Sequence, residues 1–369
     1  MKIGLDLRML GGGSGISRYI FELAKQILTL DKKNEYVLFF NKLDEATKKE
    51  FSVFGQKMVE TGIPHYSLAE QLKLPFIFNR EKLDLLHVPH FNVPILYTGK
   101  FVTTIHDLTH TRFPGKKMSH LIHRVAYNLI MLNAVRRSDK IIAVSQSTKN
   151  ELKQFFGVDE KIGVIYEGIN ESYRMMDRDE ALAKIANRYK ITKPFILYVG
   201  VWRRYKNLPA LARVFDHLIE KEFDLELVLV GEPDPYYPEI EDQVRAIKHS
   251  DRIRTVGRVS DEDLNYFYNS CLMFVLPSLA EGFGLTALEA AACGAPVILS
   301  DIPTLREVMG QGAEYFDPAN EENMYDVLSW LADNPQRRQD LSNSALARSK
   351  HYSWKKAAEE TINLYESIK

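Results

Sequence analysis

The sequence predicts an α/β protein built from two doubly wound, Rossmann-like domains, each with a parallel sheet between layers of helix. Short runs rich in Val, Ile, Leu and Phe alternate with longer segments of helical periodicity, as expected where strands are buried on both faces. The runs fall into two series: 2–7, 36–41, 84–88, 101–105, 140–144 and 162–166, then 195–200, 225–231, 253–256, 272–276 and 296–299. A largely polar stretch, "YEGINESYRMMDRDEALAKIANRYKITKP", lies between the series and sets a boundary near residue 172. The 369 residues also exceed what one core usually serves. The expected domains are therefore 1–172 and 173–352. In the closing segment 353–369, Trp354, Ala357, Ala358, Ile362 and Tyr365 share one stripe of a helix, expected to pack back on the first domain.

Composition excludes several classes of function. With 45% hydrophobic and 26% charged residues the chain reads as globular, and a formal net charge of −1 gives no basic surface for nucleic acid. "MKIGLDLRML" carries no apolar leader, and no window has the roughly 18 apolar residues of a membrane span. A cytoplasmic protein is expected. Cys271 and Cys293 both sit in apolar runs and read as free core thiols.

In parallel sheets ligands bind outside the carboxyl ends of the strands, so chemistry is sought there. "CLMFVLPS" reads as a strand, "LAEGFG" as a loop and "LTALEAAAC" as a helix stopped by Gly294, with "PVILS" as the next strand. The loop and helix carry Glu281 and Glu289. Were all the intervening steps helical, the carboxylates would lie about 12 Å apart along the axis and about 80° apart around it. Paired carboxylates acting on one glycosidic bond need roughly 5–9.5 Å. A clamp on the two ends of a longer ligand is the better reading. Between them the helix N-terminus at Leu285 and Thr286 favours a phosphate. A nucleotide sugar has hydroxyls at both ends and phosphates between. The bland alternative makes both glutamates solvated, which fits Glu289 poorly because its helix is otherwise small and apolar.

The string from Glu281 to Glu289, with "GFGL" after the first glutamate and "EAAACGAPVILSD" around the second, closely resembles the E-x7-E motif of the retaining GT-B glycosyltransferases of family 4. The likeness extends over essentially the whole chain, and mannosyl- and rhamnosyltransferases of bacterial surface polysaccharide assembly are the nearest in character. The resemblance implies a GT-B fold, with two Rossmann-like domains facing an interdomain cleft. It implies that Glu281 contacts hydroxyls of the transferred sugar and Glu289 those of the ribose, with the N–H groups of Phe283, Gly284, Leu285 and Thr286 near sugar and phosphate. "VGVWRRYKNL" resembles the family's diphosphate-gripping turn: Lys206 matches its lysine, while Arg203 or Arg204 must supply an arginine that the family often places where this chain has Val201. His106, in "TIHD", matches a histidine that contacts the sugar or its phosphate. Gly12, Gly13 and Gly15 match a glycine loop lining the site. "SDIPTLREVMG" and "GAEYFDP" are also typical of the family and suggest a turn and helix supporting the active face.

Without the resemblance, a solvated charged loop and a structural histidine would be the commoner explanations of the basic turn and of His106, and a tight turn the bland reading of the glycine loop. The activity implied is transfer of a hexosyl group, GDP-mannose being the preferred donor, to a glycan or lipid-linked hydroxyl, with no metal or other cofactor. The alternatives are a UDP- or dTDP-sugar donor, a GT-B protein that holds a nucleotide sugar without transferring it, or epimerase or phosphorylase chemistry. Residues 112–140, basic at both ends and apolar between, read either as a core helix with solvated ends or as a peripheral membrane contact.

Overall fold

The computed structural model describes residues 1–11, 15–115 and 121–368, with the side chains of 121–123 not described. The chain divides into two compact units: Met1–Leu108 with Lys117–Gly168 and Ser353–Lys369, and Thr109–Lys116 with Ile169–Tyr352.

The first unit carries strands β1 (Lys2–Asp6), β2 (Glu35–Phe40), β3 (Lys57–Glu60), β4 (Leu85–Val88), β5 (Phe101–Ile105), β6 (Lys140–Ala143) and β7 (Ile162–Val164). They form one parallel sheet in the order β3-β2-β1-β4-β5-β6-β7. Ile3 in β1 is in register with Tyr36 on one side and Leu85 on the other. The central strands are apolar on both faces because helices cover both. The helix Gly15–Leu30 buries Tyr19, Ile20, Leu23, Ala24, Ile27 and Leu28.

The second unit carries β8 (Phe195–Val199), β9 (Glu226–Val230), β10 (Ile253–Gly257), β11 (Met273–Leu276), β12 (Val297–Ser300) and β13 (Glu314–Phe316). These form a parallel sheet in the order β10-β9-β8-β11-β12-β13. Its core includes Phe215, Leu227, Leu229, Val275 and Phe316.

Two strands lie outside the sequence expectation, β3 and β13. Both are edge strands of mixed polarity, "KMVE" and "EYF", without the apolar run by which the others are read. Part of "GAEYFDP", expected to support the site as turn and helix, is thus strand, whereas Pro303–Met309 is the expected helix.

The last helix, Trp354–Glu366, belongs with the first unit and packs on the helix Gly15–Leu30, its Trp354 ring edge-on to Tyr19 at 5.7 Å. The chain passes so close beside Gly168 that a Cβ there would lie 2.0 Å from the Trp354 nitrogen. Only glycine fits that approach. Further along the helix, Tyr365 Oη lies 2.5 Å from His87 Nδ1, whose ring reaches Thr104 Oγ1 through Nε2 at 3.0 Å.

Burial lowers the His87 pKa from its ordinary 6.5 to about 3, with His106 adding to the fall. The fold holds this ring neutral, so its contribution to stability is complete above pH 6.5 and is lost as pH falls towards about 3. Calorimetric melting across that range should show a declining midpoint for the wild type and a shallower decline for His87→Gln. Equal slopes would show that His87 is not the group responsible.

Candidate active site

In the second unit the site is built where β8 and β11 end. Beyond β8 the chain turns through a short 3-10 helix, Arg204–Lys206. Beyond β11 it enters the loop holding Ser278 and Glu281, and the Leu279 N–H donates to the Tyr205 carbonyl at 2.7 Å, tying the two turns together. That tie brings Lys206 Nζ to within 2.6 Å of Glu281 Oε1, where the Ser278 hydroxyl also donates at 2.6 Å. Both side chains of the pair are mostly buried, so the charge-assisted bond is poorly screened. The cation matched to the diphosphate and the carboxylate matched to the sugar thus hold one another.

Only the last part of the Glu281–Glu289 path is helical. The helix runs Leu285–Ala292 behind Gly284, whose φ of 94° is left-handed and suits glycine. A glycine N-cap has no side chain to offer, and among the described residues no side chain caps the Leu285 and Thr286 amides at the positive end of the helix dipole. Phe283 turns inward and meets the Tyr352 ring edge-on at 5.6 Å. Glu289 is buried, accepting from Tyr268 Oη at 3.1 Å. The solvated alternative for Glu289 is excluded by this burial.

The two arginines differ. Arg203 Nε donates to Asp234 Oδ2 at 2.9 Å and is half-buried, whereas Arg204 is exposed and forks onto Glu239 Oε1 at 3.0 and 2.7 Å. Arg203 is therefore the better-ordered cation of the turn.

In the first unit His106 stands at the end of β5, its ring edge-on to Tyr19 at 4.6 Å. Nε2 lies 3.0 Å from the Pro89 carbonyl, which only accepts, so Nε2 carries a proton. Nδ1 faces Glu167 Oε1 at 3.2 Å. Burial drives the Glu167 carboxyl above its ordinary range, with Asp107 adding to the rise and His106 opposing it. Contact of either ring nitrogen with a ligand requires exchange of one of these bonds. Gly15 opens the helix Gly15–Leu30 with open space where a Cβ would stand, and Gly12 and Gly13 lie outside the described residues.

The structure also brings up residues that the motifs did not indicate. Glu167, in "YEGIN", follows β7, and a carboxylate just past a strand end was a readable signal. Ser278 precedes Glu281 in the same loop. Tyr268 and Asp234 reach their partners only through tertiary packing. Among the described residues no group of three or more His, Cys, Asp and Glu side chains could hold a metal ion. Cys271 and Cys293 are buried and unpaired with each other, and burial pushes the Cys271 thiol up to about 12.

Two parallel-sheet units with cations and carboxylates at their strand ends are the framework of a glycosyltransferase. The glycosyltransferase family 4 model matches residues 13–173 and the glycosyl transferases group 1 model matches residues 181–348. The chain belongs to these glycosyltransferases and is a transferase of the GT-B fold. It is 27% identical to O-antigen chain mannosyltransferase B of Escherichia coli over an alignment covering 96% of each chain. It is 25% identical to O-antigen chain mannosyltransferase RfbU of Salmonella typhimurium strain LT2, covering 75% of this chain and 72% of that one. The structure of Alr3699/HepE from Anabaena in complex with UDP-glucose superposes with a TM-score of 0.81 at 17% identity, covering 100% of both chains.

A double-mutant cycle tests the central pair. Lys206→Met should cost about 1–3 kcal/mol in urea unfolding, because it strands a mostly buried carboxylate. Glu281→Gln in the same chain should restore part of that loss, with a coupling of about 0.5–3 kcal/mol. Strictly additive effects would mean that the pair is not energetically linked.

Proposed function

We propose that the enzyme transfers a hexosyl group, with GDP-mannose the preferred donor, to a hydroxyl of a glycan or lipid-linked acceptor in surface polysaccharide synthesis, and that the anomeric configuration is retained. The observation that carries this reading is the Lys206–Glu281 pair beside an uncapped helix N-terminus, with buried Glu289 in that same helix. Lys206 exchanges Glu281 for the diphosphate, Glu281 turns to sugar hydroxyls, the Leu285 and Thr286 amides face phosphate, and Glu289 takes the ribose hydroxyls.

The bond from the anomeric carbon to the diphosphate oxygen breaks as the acceptor oxygen approaches the same face. The departing phosphate accepts the acceptor's proton. No protein nucleophile is assigned. Negative charge growing on the leaving group is met by Lys206, Arg203 and the helix dipole, fixed dipoles and charges of the kind that contribute most to such catalysis. On this reading no resident metal or other cofactor is required. His106 contributes to holding the sugar or its phosphate, with Glu167 fixing its ring.

Mannosyl transfer is supported by the likeness to the two O-antigen chain mannosyltransferases, and the UDP-glucose bound to the Anabaena protein keeps a UDP-sugar donor as the second reading. A binder without turnover is disfavoured because the chain carries His106, Lys206, Glu281 and Glu289 together.

The acceptor also bears on location. No helix among the described residues is long and apolar enough to cross a membrane. In the helix Leu121–Arg137, Met131, Ala134 and Val135 are core, while Val125 and Leu129 are exposed beside exposed Arg124, with Arg136 and Arg137 at its far end. Both readings of 112–140 therefore find support, from different parts of one helix. We place a peripheral contact with anionic lipid on Val125 and Leu129, on the inner face of a membrane.

Thermal-shift measurements with GDP, UDP, dTDP and their sugar conjugates test the donor. GDP-mannose at a hundred times its Kd should stabilise the protein by about 2.7 kcal/mol, undiminished by EDTA, and Glu289→Ala should abolish the effect. A response to UDP-glucose alone would replace the donor, and no response to any nucleotide would remove the reading. For the membrane contact, the protein should sediment with anionic liposomes at low salt and less so as Val125→Ser/Leu129→Ser; failure of the wild type to sediment would rule the contact out.

A further inference from the structure

The strand order β3-β2-β1-β4-β5-β6-β7 reverses between β1 and β4. At such a switch point the two connections leave to opposite sides, and a crevice opens beyond the strand ends. The first unit has a cavity of about 10 Å³ at this place. Asp6, Arg8 and Met9 line it from the end of β1, His90 and Asn92 from the end of β4, and His65 from the loop that follows β3.

Its polar walls are rigidly held. Arg8 forks onto Asp6, Nε to Oδ1 and Nη2 to Oδ2, both at 2.8 Å, and Nη2 also donates to Glu70 Oε1 at 2.8 Å. The other oxygen of that carboxylate accepts from Asn92 Nδ2 at 2.5 Å. His65 Nε2 caps the Arg8 carbonyl at 2.7 Å. Two atoms are left over: Arg8 Nη1 and Asn92 Oδ1 are buried and have no hydrogen-bond partner among the described residues. Their side chains belong to residues that are each 3% exposed. Buried polar atoms are nearly always satisfied, and each exception calls for an explanation.

We propose that this cavity is a subsite for the acceptor and takes a neutral hydroxyl of a carbohydrate. The inference rests on the glycosyl-transfer reading above and adds where, and by which chemistry, the first unit grips the acceptor. A guanidinium N–H only donates and an amide oxygen only accepts. A hydroxyl completes both, accepting from Arg8 Nη1 and donating to Asn92 Oδ1. A phosphate or carboxylate would satisfy Arg8 but meet the Asn92 oxygen, with the carboxylates of Asp6 and Glu70 already outnumbering the single guanidinium. An ammonium would face the guanidinium. The cavity's small volume suits one hydroxyl-sized group, so the rest of the acceptor lies outside it.

Met9 lines the cavity, is partly exposed and takes no part in the polar network, so Met9→Trp should fill the space and leave the network intact. Saturation-transfer NMR with octyl α-D-mannopyranoside, octyl β-D-glucopyranoside and octyl α-L-rhamnopyranoside, each without nucleotide, gives the readout. At least one glycoside should receive saturation through its ring protons from the wild type. That transfer should be lost in Met9→Trp and in Asn92→Ser, with mannose 6-phosphate giving none.

The proposal is overturned if the glycoside signal survives in a Met9→Trp chain that keeps its wild-type circular dichroism, or if mannose 6-phosphate binds in preference. It is equally overturned if no glycoside gives a signal at millimolar concentration, because the cavity then holds a structural water only. Nucleotide thermal shifts on the same samples report the donor reading separately, so loss of either response identifies which inference has failed.

Discussion

Parallel strand pairing is the constraint from which the rest of this structure follows. Every strand of a parallel sheet leaves at the same edge, and each connection must return across a face, so both faces are covered and the strands have to be apolar throughout. Polar side chains inside the strands are few and satisfied locally, as His87 of β4 is by Thr104 and Tyr365, and most charged groups gather at or beyond the strand ends. Arg8 follows β1, His90 and Asn92 follow β4, His106 follows β5 and Glu167 follows β7; in the second unit Lys206 follows β8, Asp234 follows β9 and Glu281 follows β11. Chemistry is gathered at one edge of each sheet because packing leaves it nowhere else.

Residues collected there are charged and largely buried, and the fold answers by pairing them. Lys206 holds Glu281, Arg203 holds Asp234, and Arg8 bridges Asp6 and Glu70. Such pairs contribute little net stability against well-packed apolar side chains, yet removing one member leaves a costly buried charge. They hold their members in place while leaving each able to exchange its partner for a ligand group of the same sign. Preorganised charge of this kind suits a transfer in which the protein forms no covalent bond and must only receive charge on a departing phosphate. His106 is held in the same way, with Nε2 on the Pro89 carbonyl and Nδ1 facing Glu167.

Much of the fold was legible because its signals are local. Uninterrupted apolar runs marked the inner strands, and Gly284 and Gly294 bounded the helix that carries Glu289. The strands β3 and β13 were not legible, since "KMVE" and "EYF" are short, of mixed polarity and without an apolar run. The unit boundary falls after Gly168, inside the polar stretch that starts at Tyr166 and had placed it near residue 172. In the site, Glu281, Glu289 and Lys206 could be picked out because their residue types are tied to motif positions. Tyr268 could not, since nothing in its own helix indicates that its hydroxyl meets a carboxylate twenty-one positions away.

The sequence by itself determined the class of fold, the pattern of strands and helices, and the candidate ligand groups, because hydrophobic periodicity and short motifs depend on neighbours along the chain. Only the tertiary structure decided which of those groups touch: that Lys206 pairs with Glu281, that Arg203 and not Arg204 is held half-buried, that Glu167 faces His106 Nδ1, and that Arg8 and Asn92 grip the two oxygens of Glu70, each with one atom left without a partner among the described residues. These are contacts between residues separated by some twenty to seventy-five positions. Their geometry is set by strand order and helix packing, which no local stretch encodes.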